Sequence, residues 1–298
     1  MIEPLFSIVV PTYNRAELLQ RALRSVLQQT FQSFEVVVVD NRSTDTTREV
    51  IESLGDDRIQ CLDVQNNGII AVSRNMGIRY ARGEWVCFLD SDDWWYPKKL
   101  EVASRHLSGS DIIYHDLHIY NSNGRIRWQK VKGKYLRPPV FSRLMKSGNV
   151  IVTSSVVVRK EVLEKVGGFD EDAAIVAAED YDLWLRIARS TERFTYIPKS
   201  LGAYWVSGER MTEVSERQIE RIAAVYRKHL AFLENEDRED AIAVMEYGRA
   251  RILQKMGYTR EAFALFRETL RARMINIKIK SVYCLALICL LGRDHEKK

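Results

Sequence analysis

Three carboxylates lie close together at residues 90–93 (Asp-Ser-Asp-Asp), directly after the apolar run at residues 85–89. Two carboxylates at positions i and i+2 of a turn can point toward one place and hold a hard divalent ion. Mg²⁺ and Mn²⁺ prefer oxygen ligands, and proteins often hold them with one or two carboxylates together with phosphates. The segment therefore predicts a metal site. In the alternative interpretation, Asp93 only caps the helix that begins near Pro97.

Polar residues also follow two other predicted strands. Residues 12–15 (Thr-Tyr-Asn-Arg) come after the β-branched run Phe6–Val10, and residues 40–43 (Asp-Asn-Arg-Ser) come after the apolar run Phe34–Val39. In an open α/β sheet, ligands bind beyond the carboxyl ends of the strands. Neither a G-x-G-x-x-G segment nor a Walker loop follows the first strand, so the glycine-rich way of holding a pyrophosphate is absent. A nucleotide bound here would need another group to neutralise its phosphates.

The elements that must position these residues alternate between strand and helix over the first 120 residues. Short apolar runs predict buried strands, and apolar residues at helical spacing predict the connecting helices. The predicted strands are Phe6–Val10, Phe34–Val39, Ile59–Val64 and Trp85–Leu89, and the predicted helices are Leu18–Leu27, the segment from an N-cap at Ser43 to Leu54, and Ile70–Ala81. This order predicts an α/β fold, a mostly parallel sheet with helices on both faces.

The rest of the chain is less regular and becomes helical toward its end. Strands are predicted at residues 111–116, 151–158 and 194–197, helices at 160–166 and 181–188, and a turn and loop at 121–139. From about residue 215 only helical patterns occur. We therefore expect an α/β domain over residues 1–212 and an all-helical C-terminal region over residues 213–298.

The composition is that of an ordinary globular protein. The chain has 298 residues, of which 46% are hydrophobic and 29% charged, and this excludes a disordered chain. The four cysteines form no C-x-x-C pair, which favours reduced thiols and a cytoplasmic protein. The N-terminus lacks the basic segment of a signal peptide. The longest apolar run, Val282–Leu291, is shorter than the roughly 18 residues that a membrane span needs, so we expect no span.

The C-terminal region is strongly basic. Residues 248–298 contain 12 Lys and Arg against 4 Asp and Glu, a net charge of +8, whereas the first 247 residues carry 33 against 36, a net charge of −3. This excess is typical of a solvated helical surface or of attraction to an anionic partner such as a membrane. We expect no binding of nucleic acid, because no aromatic residues are interleaved with a basic stripe. Two interpretations of Val282–Leu291 stay open: burial against the first domain or a second subunit, or a peripheral position at the inner face of the membrane.

Six motifs, in the same order along the chain, resemble those of the family 2 glycosyltransferases. They are residues 7–14 (Ser-Ile-Val-Val-Pro-Thr-Tyr-Asn), 38–45 (Val-Val-Asp-Asn-Arg-Ser-Thr-Asp), 67–68 (Asn-Gly) with 73–75 (Ser-Arg-Asn), 88–93 (Phe-Leu-Asp-Ser-Asp-Asp), 168–171 (Gly-Phe-Asp-Glu) and 179–184 (Glu-Asp-Tyr-Asp-Leu-Trp). The resemblance covers about residues 5–212 and not the helical tail. It implies a GT-A fold and the metal-dependent transfer of a sugar, with inversion, from a nucleotide-sugar. A UDP-sugar is the expected donor, and a hydroxyl group of a glycan or lipid-linked acceptor in cell-surface polysaccharide or glycoconjugate synthesis is the expected acceptor.

The resemblance also implies which residues bind the donor. They are Pro11, Tyr13, Asn14 and Arg15 beside the base and ribose, Asn67 and Arg74 at the border of the uridine site, and Asp40, Asp90 and Ser91. Asp40 would accept a hydrogen bond from the uracil N–H, and Asp90 would contact the ribose. Asp92 would bind the Mn²⁺ or Mg²⁺ ion that bridges the diphosphate.

The catalytic roles implied by the resemblance fall on two adjacent acids. Asp180 would be the general base, and Glu179 would bind hydroxyls of the donor sugar or orient Asp180. An aspartate with a reference pKa of about 3.9 is ionised near pH 7 and can take a proton from an attacking hydroxyl. One segment departs from the family pattern. Many members have Tyr-Arg-x-His where this chain has Tyr-Trp-Val-Ser at residues 204–207, and Arg210 is the candidate replacement for the missing charge.

Two other functions stay open. A nucleotidyltransferase on a similar sheet would also use paired aspartates and a metal, but the element that begins with Glu179 and Asp180 argues against it. A non-catalytic assembly protein would keep the fold and bind partners through its helical tail, and the intact acidic motifs argue against that. Trp94 and Trp95 follow the acidic segment and either stack on a sugar or pack in the core.

Overall fold

The computed structural model describes residues 3–206 and 215–295. Its contacts divide the chain into two compact units, one made of Met1–Val140 and Asn149–Arg210 and the other of Phe141–Gly148 and Met211–Lys298. The first is an α/β unit that carries the residues implicated in donor binding and catalysis, and the described part of the second is helical. Arg210, the candidate replacement for the missing arginine, lies outside the described residues.

The first unit is built on one sheet, which has nine strands in the described part of the chain. They are β1 (Phe6–Thr12), β2 (Phe34–Asp40), β3 (Ile59–Asp63), β4 (Trp85–Phe88), β5 (Trp94–Trp95), β6 (Ile112–Asn121), β7 (Gly124–Val131), β8 (Val157–Arg159) and β9 (Phe194–Trp205). Their order across the sheet is β3-β2-β1-β4-β8-β6-β9-β5, and β7 pairs with β6. Strands β1 to β4 are parallel to their neighbours within this group, and β8 is antiparallel to β4 and β6.

Helices connect these strands and make up the second unit. They are α1 (Ala16–Leu27), α2 (Thr47–Ser53), α3 (Ile70–Tyr80), α4 (Lys99–Ser104), α5 (Val140–Met145), α6 (Lys160–Lys165), α7 (Glu179–Ser190), α8 (Glu216–His229), α9 (Asn235–Met256), α10 (Thr259–Thr269) and α11 (Ile275–His295). The alternation of strand and helix predicted for the first 120 residues is therefore confirmed.

The parallel part of the sheet is buried on both faces. Every residue of β1 and β2 is buried, which explains why these segments are nearly continuous apolar runs rather than alternating ones. Strand β1 lies between β2 and β4, with Thr12 opposite Asp40. The loops that follow these three strands therefore meet at the carboxyl edge of the sheet, where ligands bind in open α/β folds.

The predicted N-cap at Ser43 is wrong. Helix α2 begins only at Thr47, and its first residues are fixed by Asp45, whose Oδ1 accepts hydrogen bonds from the Thr47 N–H and hydroxyl. The Ser43 hydroxyl instead donates to Asp40. The Ser43 oxygen accepts its hydrogen bond from the Asn14 N–H rather than from a helix N–H, and the sequence pattern did not separate the two uses.

Two segments of the middle region also differ from their prediction. Residues 151–158 do not form one strand but a 3-10 turn, Thr153–Ser155, followed by the short β8. The Ser155 hydroxyl donates to the carbonyl of Val152 at 2.7 Å, a local bond that competes with strand pairing despite the β-branched residues around it. Residues 121–139, predicted as turn and loop, contain β7, which forms a hairpin with β6.

The second unit has its own small core. One cluster of buried apolar side chains joins four helices, through Ile219 of α8, Ala250 and Leu253 of α9, Ala262 and Phe266 of α10, and Cys284 and Ile288 of α11. Gly257, with φ 88°, ends α9 in the left-handed conformation and allows the tight turn into α10. Over the described residues, no helix combines the length and apolarity needed to cross a membrane.

Candidate active site

The loops after β1 and β2 are bonded to each other. The buried Asp40 carboxylate accepts hydrogen bonds from the Ser43 backbone N–H at 3.1 Å and from its hydroxyl at 2.5 Å. The Ser43 Oγ accepts one from the Asn14 N–H at 2.9 Å, and the Asn14 Oδ1 accepts one from the Thr44 N–H at 2.7 Å. These bonds hold Asn14 in the left-handed conformation, with φ 48°. Pro11, buried in β1, leads into this loop.

Two of the predicted nucleotide-binding side chains are accessible at the same edge of the sheet. Tyr13 is 54% exposed, and Asn67 is exposed with φ 50°. The neighbouring Asn66, which the sequence did not single out, is buried: its backbone N–H donates to Asn41 Oδ1 and its Nδ2 donates to Ser73 Oγ, both at 2.8 Å. Asn66 therefore fixes the loop, and the side chain of Asn67 is exposed to solvent.

Arg74 connects the two acidic motifs. Its side chain is 4% exposed and donates to Asp90 Oδ1 at 2.8 Å and to Glu179 Oε1 at 2.6 Å. Burial alone would lower the pKa of Arg74, but the charges of Asp90 and Glu179 raise it above its ordinary value. The other Glu179 oxygen, Oε2, is buried and has no hydrogen-bond partner among the described residues. Since an unbonded buried oxygen costs free energy, this atom is suited to accept a bond from a ligand hydroxyl.

The acidic segment at residues 90–93 is surrounded by arginines. Arg15 forms an ion pair with Asp92 Oδ2, and Arg21 donates to the Asp92 carbonyl at 2.7 Å. Asp93 is buried, and its Oδ1 accepts a hydrogen bond from the Trp205 N–H at 2.8 Å, so it does not cap α4. Burial first, and neighbouring carboxylates second, raise the pKa of Asp92 and that of Asp93. Carboxylates in this condition are stabilised by a cation.

The 3-10 turn Thr153–Ser155 joins the acidic segment to the predicted base. The hydroxyl of Thr153 donates to Asp180 Oδ2 at 3.0 Å, and Asn149 Nδ2 donates to the same oxygen at 3.1 Å. The Ser154 Oγ accepts a hydrogen bond from the Asp90 N–H at 3.1 Å. All three residues of the turn are buried. The turn thus fixes the position of Asp180 relative to Asp90.

Asp180, the predicted general base, is a carboxylate of raised pKa. It is half-buried, and burial, followed by the charge of Glu179, raises its pKa to about 6. Arg74 and the hydrogen bonds from Asn149 and Thr153 act in the opposite direction. A carboxylate with this pKa is mostly ionised at pH 7 and is a stronger base than an ordinary aspartate.

Arg21 lies between two tryptophan rings beside the acidic segment. Its guanidinium carbon is 4.0 Å from the ring centroid of Trp94 and 4.5 Å from that of Trp205. Trp205 belongs to the segment that lacks the arginine and histidine of the family pattern, and Arg21 of α1 brings a positive charge to this place. Trp95, by contrast, is 2% exposed and packs in the core, whereas Trp94 is only half-buried.

The motif around Asn75 is structural. Its Oδ1 accepts a hydrogen bond from the Phe169 N–H at 2.7 Å, and its Nδ2 donates to the Phe169 carbonyl and to Glu171 Oε1, both at 2.8 Å. Gly168 has φ 69°, and a Cβ there would lie 2.5 Å from Asn75 Oδ1. These contacts lock α3 to the loop that precedes α7, and they thereby place Arg74 opposite Glu179.

A divalent ion fits the acidic segment if phosphates and water supply most of its ligands. Among the described residues, no group of three or more His, Cys, Asp and Glu side chains is arranged to hold a metal ion. Asp90 and Asp92 nevertheless offer the hard oxygen donors that Mg²⁺ and Mn²⁺ take in ones and twos beside phosphates and water. The raised pKa of Asp92 favours a cation at this place.

Three residues at this site were missed from the sequence. They are Arg21, Asn149 and Thr153. Arg21 belongs to the polar face of an amphipathic helix, and the sequence alone does not distinguish a functional arginine there from one that is simply exposed to solvent. Asn149 and Thr153 flank the start of a segment that was predicted to be a strand. The one available signal was the turn dipeptide Gly148-Asn149 just before that run.

The sheet order and the acidic motifs at its carboxyl edge define an α/β protein of the GT-A class. The sequence profile of the glycosyl transferase family 2 matches residues 7–167, more than half of the chain. The chain belongs to this family, as its motifs predicted.

Two curated relatives illustrate the extent of the similarity. An uncharacterized glycosyltransferase of Nostoc sp. is 37% identical over 173 residues, which cover 55% of this chain and 53% of that protein. A UDP-Glc:alpha-D-GlcNAc-diphosphoundecaprenol beta-1,3-glucosyltransferase of Escherichia coli is 32% identical over 193 residues, which cover 63% of this chain and 72% of that protein. The chain thus spans about half the length of the Nostoc relative.

A solved structure shares the fold over nearly the whole chain. The crystal structure of residues 1–349 of TarS from S. aureus in complex with UDP-GlcNAc has a TM-score of 0.67 at 21% identity. The similarity covers 97% of this chain and 92% of that one. At this identity the likeness concerns the fold, and it confirms the predicted GT-A architecture.

Proposed function

We propose that the chain transfers a sugar, with inversion, from a UDP-sugar to a hydroxyl group of a lipid-linked glycan acceptor. The observation that carries the proposal is Asp180, a carboxylate of raised pKa that lies beside the Arg74 bridge between Asp90 and Glu179. The name of the Escherichia coli relative specifies UDP-Glc and a diphosphoundecaprenol-linked GlcNAc, and the TarS structure contains UDP-GlcNAc. Both support a uridine donor, and the first supports a lipid-linked acceptor.

The donor nucleotide is assigned to the loops after β1, β2 and β3. Asp40 accepts a hydrogen bond from the uracil N–H, and the accessible Tyr13 and Asn67 contact the base and ribose together with Asn14 and Arg15. In this assignment Ser91 and Asp90 face the ribose, and residues 1–212 form the transferase domain, with residues 213–298 as a separate helical region.

Asp180 accepts the acceptor proton in this mechanism. The acceptor hydroxyl donates a hydrogen bond to Asp180, which takes the proton as the hydroxyl oxygen attacks the anomeric carbon. The new bond forms on the face opposite UDP, the anomeric carbon–oxygen bond to UDP breaks, and UDP leaves with the bonding electron pair. Glu179 Oε2 accepts a bond from a donor-sugar hydroxyl. A Mn²⁺ or Mg²⁺ ion held by Asp92, with Asp90 beside it, would supply positive charge for the leaving diphosphate.

The release of UDP by the purified chain tests this proposal. UDP-Glc and UDP-GlcNAc are offered with Mn²⁺ and a lipid-diphosphate-linked GlcNAc acceptor, and UDP release is expected to require the acceptor. Asp180→Asn is expected to keep donor affinity and to lose kcat by about 10²-fold or more, the size of a general-base contribution. Asp57→Asn, an exposed aspartate just before β3, is the matched control and should keep its turnover.

The stability of Asp180→Asn shows whether lost turnover reflects chemistry. Because the fold raises the pKa of Asp180, this group favours the folded state most at pH values below its ordinary pKa, and that contribution is lost as the pH rises through about 6. At pH 7 the variant is therefore expected to unfold at no lower temperature than the original protein. If a folded Asp180→Asn keeps most of its turnover, Asp180 is not the base. The proposed transfer would be contradicted if UDP were released without any acceptor, or if no UDP were released when the acceptor is present.

A further inference from the structure

Helix α11 is apolar on two sides. One side is buried, through Ile277, Cys284 and Ile288 together with Ser281, and Cys284 and Ile288 belong to the apolar core of the second unit. The large apolar side chains of the other side are 55–71% exposed, and they are Ile275, Ile279, Val282, Tyr283 and Leu290. We call these five residues the exposed stripe. The buried side satisfies the need for a core, so packing inside the unit does not account for the stripe.

The exposed stripe runs along one side of the helix. Its members recur at intervals of three, four or seven residues, apart from the adjacent pair Val282 and Tyr283, and such positions share one helix face. From Ile275 to Leu290 the stripe is about 22 Å long at 1.5 Å per residue. A continuous apolar surface of this kind on a protein marks an interaction site rather than ordinary surface composition.

The charged residues of the chain segment that carries the stripe are of one sign, and one of them, Arg273, is paired with Glu236 of α9 at 2.9 Å. Between Glu268 and Asp294 the sequence has five basic residues and no acidic one. They are Arg271, Arg273, Lys278, Lys280 and Arg293. A second copy of the chain would bring the same basic segment to the contact, so the charges of a symmetric pair would oppose each other. Anionic lipid headgroups above a hydrocarbon layer complement both the basic residues and the apolar stripe.

We propose that the exposed stripe is a surface for binding an anionic phospholipid bilayer, along which α11 lies without crossing it. Ile279, Val282 and Tyr283 enter the boundary between headgroups and acyl chains, and Lys278 and Lys280, on the turns beside them, reach the headgroups with their flexible stems. The surface belongs to the second unit and uses none of the residues of the candidate active site. A chain without transferase activity is therefore expected to bind the bilayer equally well.

Flotation of the full chain with liposomes tests the apolar part of the proposal. Vesicles of phosphatidylcholine with phosphatidylglycerol are expected to carry the protein upward at low salt, and pure phosphatidylcholine vesicles are expected to carry much less. Binding should weaken as salt screens the charges. The double variant Ile279→Ser, Val282→Ser is expected to stay in the bottom fraction. Ile242→Ser, which changes an exposed isoleucine of α9, is the control and should float like the original protein.

A second pair of variants tests the charges. Lys278→Gln with Lys280→Gln is expected to lower the partition coefficient by about 30-fold, from roughly 1 kcal/mol for each lysine near an anionic surface. Arg260→Gln with Arg267→Gln removes the same charge from exposed positions of α10 and should leave the coefficient close to the original value. Thermal unfolding of each variant, which changes side chains that are wholly or partly exposed, is expected to match that of the original protein.

Three results would overturn the proposal. The first is the absence of flotation with anionic vesicles at low salt. The second is equal loss of binding in the stripe variant and in its control. The third is a lipid-free dimer, seen by sedimentation velocity, that Ile279→Ser with Val282→Ser converts to monomer, because the stripe would then be an interface between copies. Since none of these measurements requires turnover, they remain decisive whether or not UDP is released.

Discussion

Lowering the pH from 7 to 5 is expected to reduce kcat/KM about tenfold if Asp180 is the base. With a pKa of about 6, the ionised fraction of this carboxylate falls from about 0.9 at pH 7 to about 0.1 at pH 5. An aspartate at the ordinary value of 3.8 would still be about 0.9 ionised at pH 5, and its rate would hardly change. UDP release at limiting acceptor concentration measures kcat/KM, which reports the pKa values of the free enzyme.

The variant Glu179→Gln tests one of the two causes of the shift. Burial, and after it the charge of Glu179, raise the pKa of Asp180, and glutamine removes the charge while it keeps the shape and can still accept the bond from Arg74. The inflection of the pH profile is therefore expected below pH 6, with a smaller loss of kcat/KM at pH 5. Asp57→Asn should leave the inflection in place. A flat profile between pH 7 and 5, in protein whose circular dichroism is unchanged, would refute the reasoning, as would an inflection that Glu179→Gln does not move.

Three further variants probe other parts of the site. Asp92→Asn should abolish the increase in UDP affinity that Mn²⁺ gives the original protein, measured by calorimetry with and without chelator. If the original protein bound UDP equally well in both conditions, the metal would have no part in the mechanism. Arg21→Gln removes the positive charge beside the acidic segment and should lower kcat by about tenfold or more, as loss of a donor to developing charge does; unchanged turnover would leave Arg21 a packing residue. Gly168→Ala should destabilise the protein by about 1–3 kcal/mol more than Gly167→Ala, because both have positive φ but only the Cβ of the first displaces the buried Asn75 bonds. Equal denaturation midpoints for Gly168→Ala and Gly167→Ala would show that Asn75 accommodates the new Cβ without loss of stability.

The parallel part of the fold was predictable because burial on two faces leaves a simple pattern. Residues Phe34–Val39 are apolar apart from Glu35, and the whole of β2 is buried. Even Glu35 is explained locally, since its Oε1 accepts bonds from the Ser7 hydroxyl and the Arg82 N–H. The half-exposed β9 gave a weaker signal: its apolar residues predicted only 194–197, although the strand continues to Trp205.

The sequence indicates candidate site residues but not the contacts between them. Motifs at strand ends single out Asp40 and Asp90, because the carboxyl ends of parallel strands meet at one edge, whereas Asp180 was singled out only by the resemblance to the family. Nothing in the chain order shows that Arg74 bonds to residues 16 and 105 positions away. Local patterns also favoured a strand at residues 151–158, where the hydroxyls of Thr153 and Ser154 instead bond to the two acidic motifs.

Arg74 has two carboxylate partners, and this decides which variants are informative. Removing its guanidinium would leave Asp90 and the buried Glu179 without their cation, and breaking a buried ion pair from one side costs about 3–5 kcal/mol. It would also raise the pKa of Asp180, on which Arg74 acts directly. A loss of activity in an Arg74 variant would therefore combine donor binding, base strength and folding. Glu179→Gln keeps the bond from Arg74 and leaves Asp90 paired with it. The variant removes the acceptor for the donor-sugar hydroxyl, but the position of the pH inflection still reports the strength of the base.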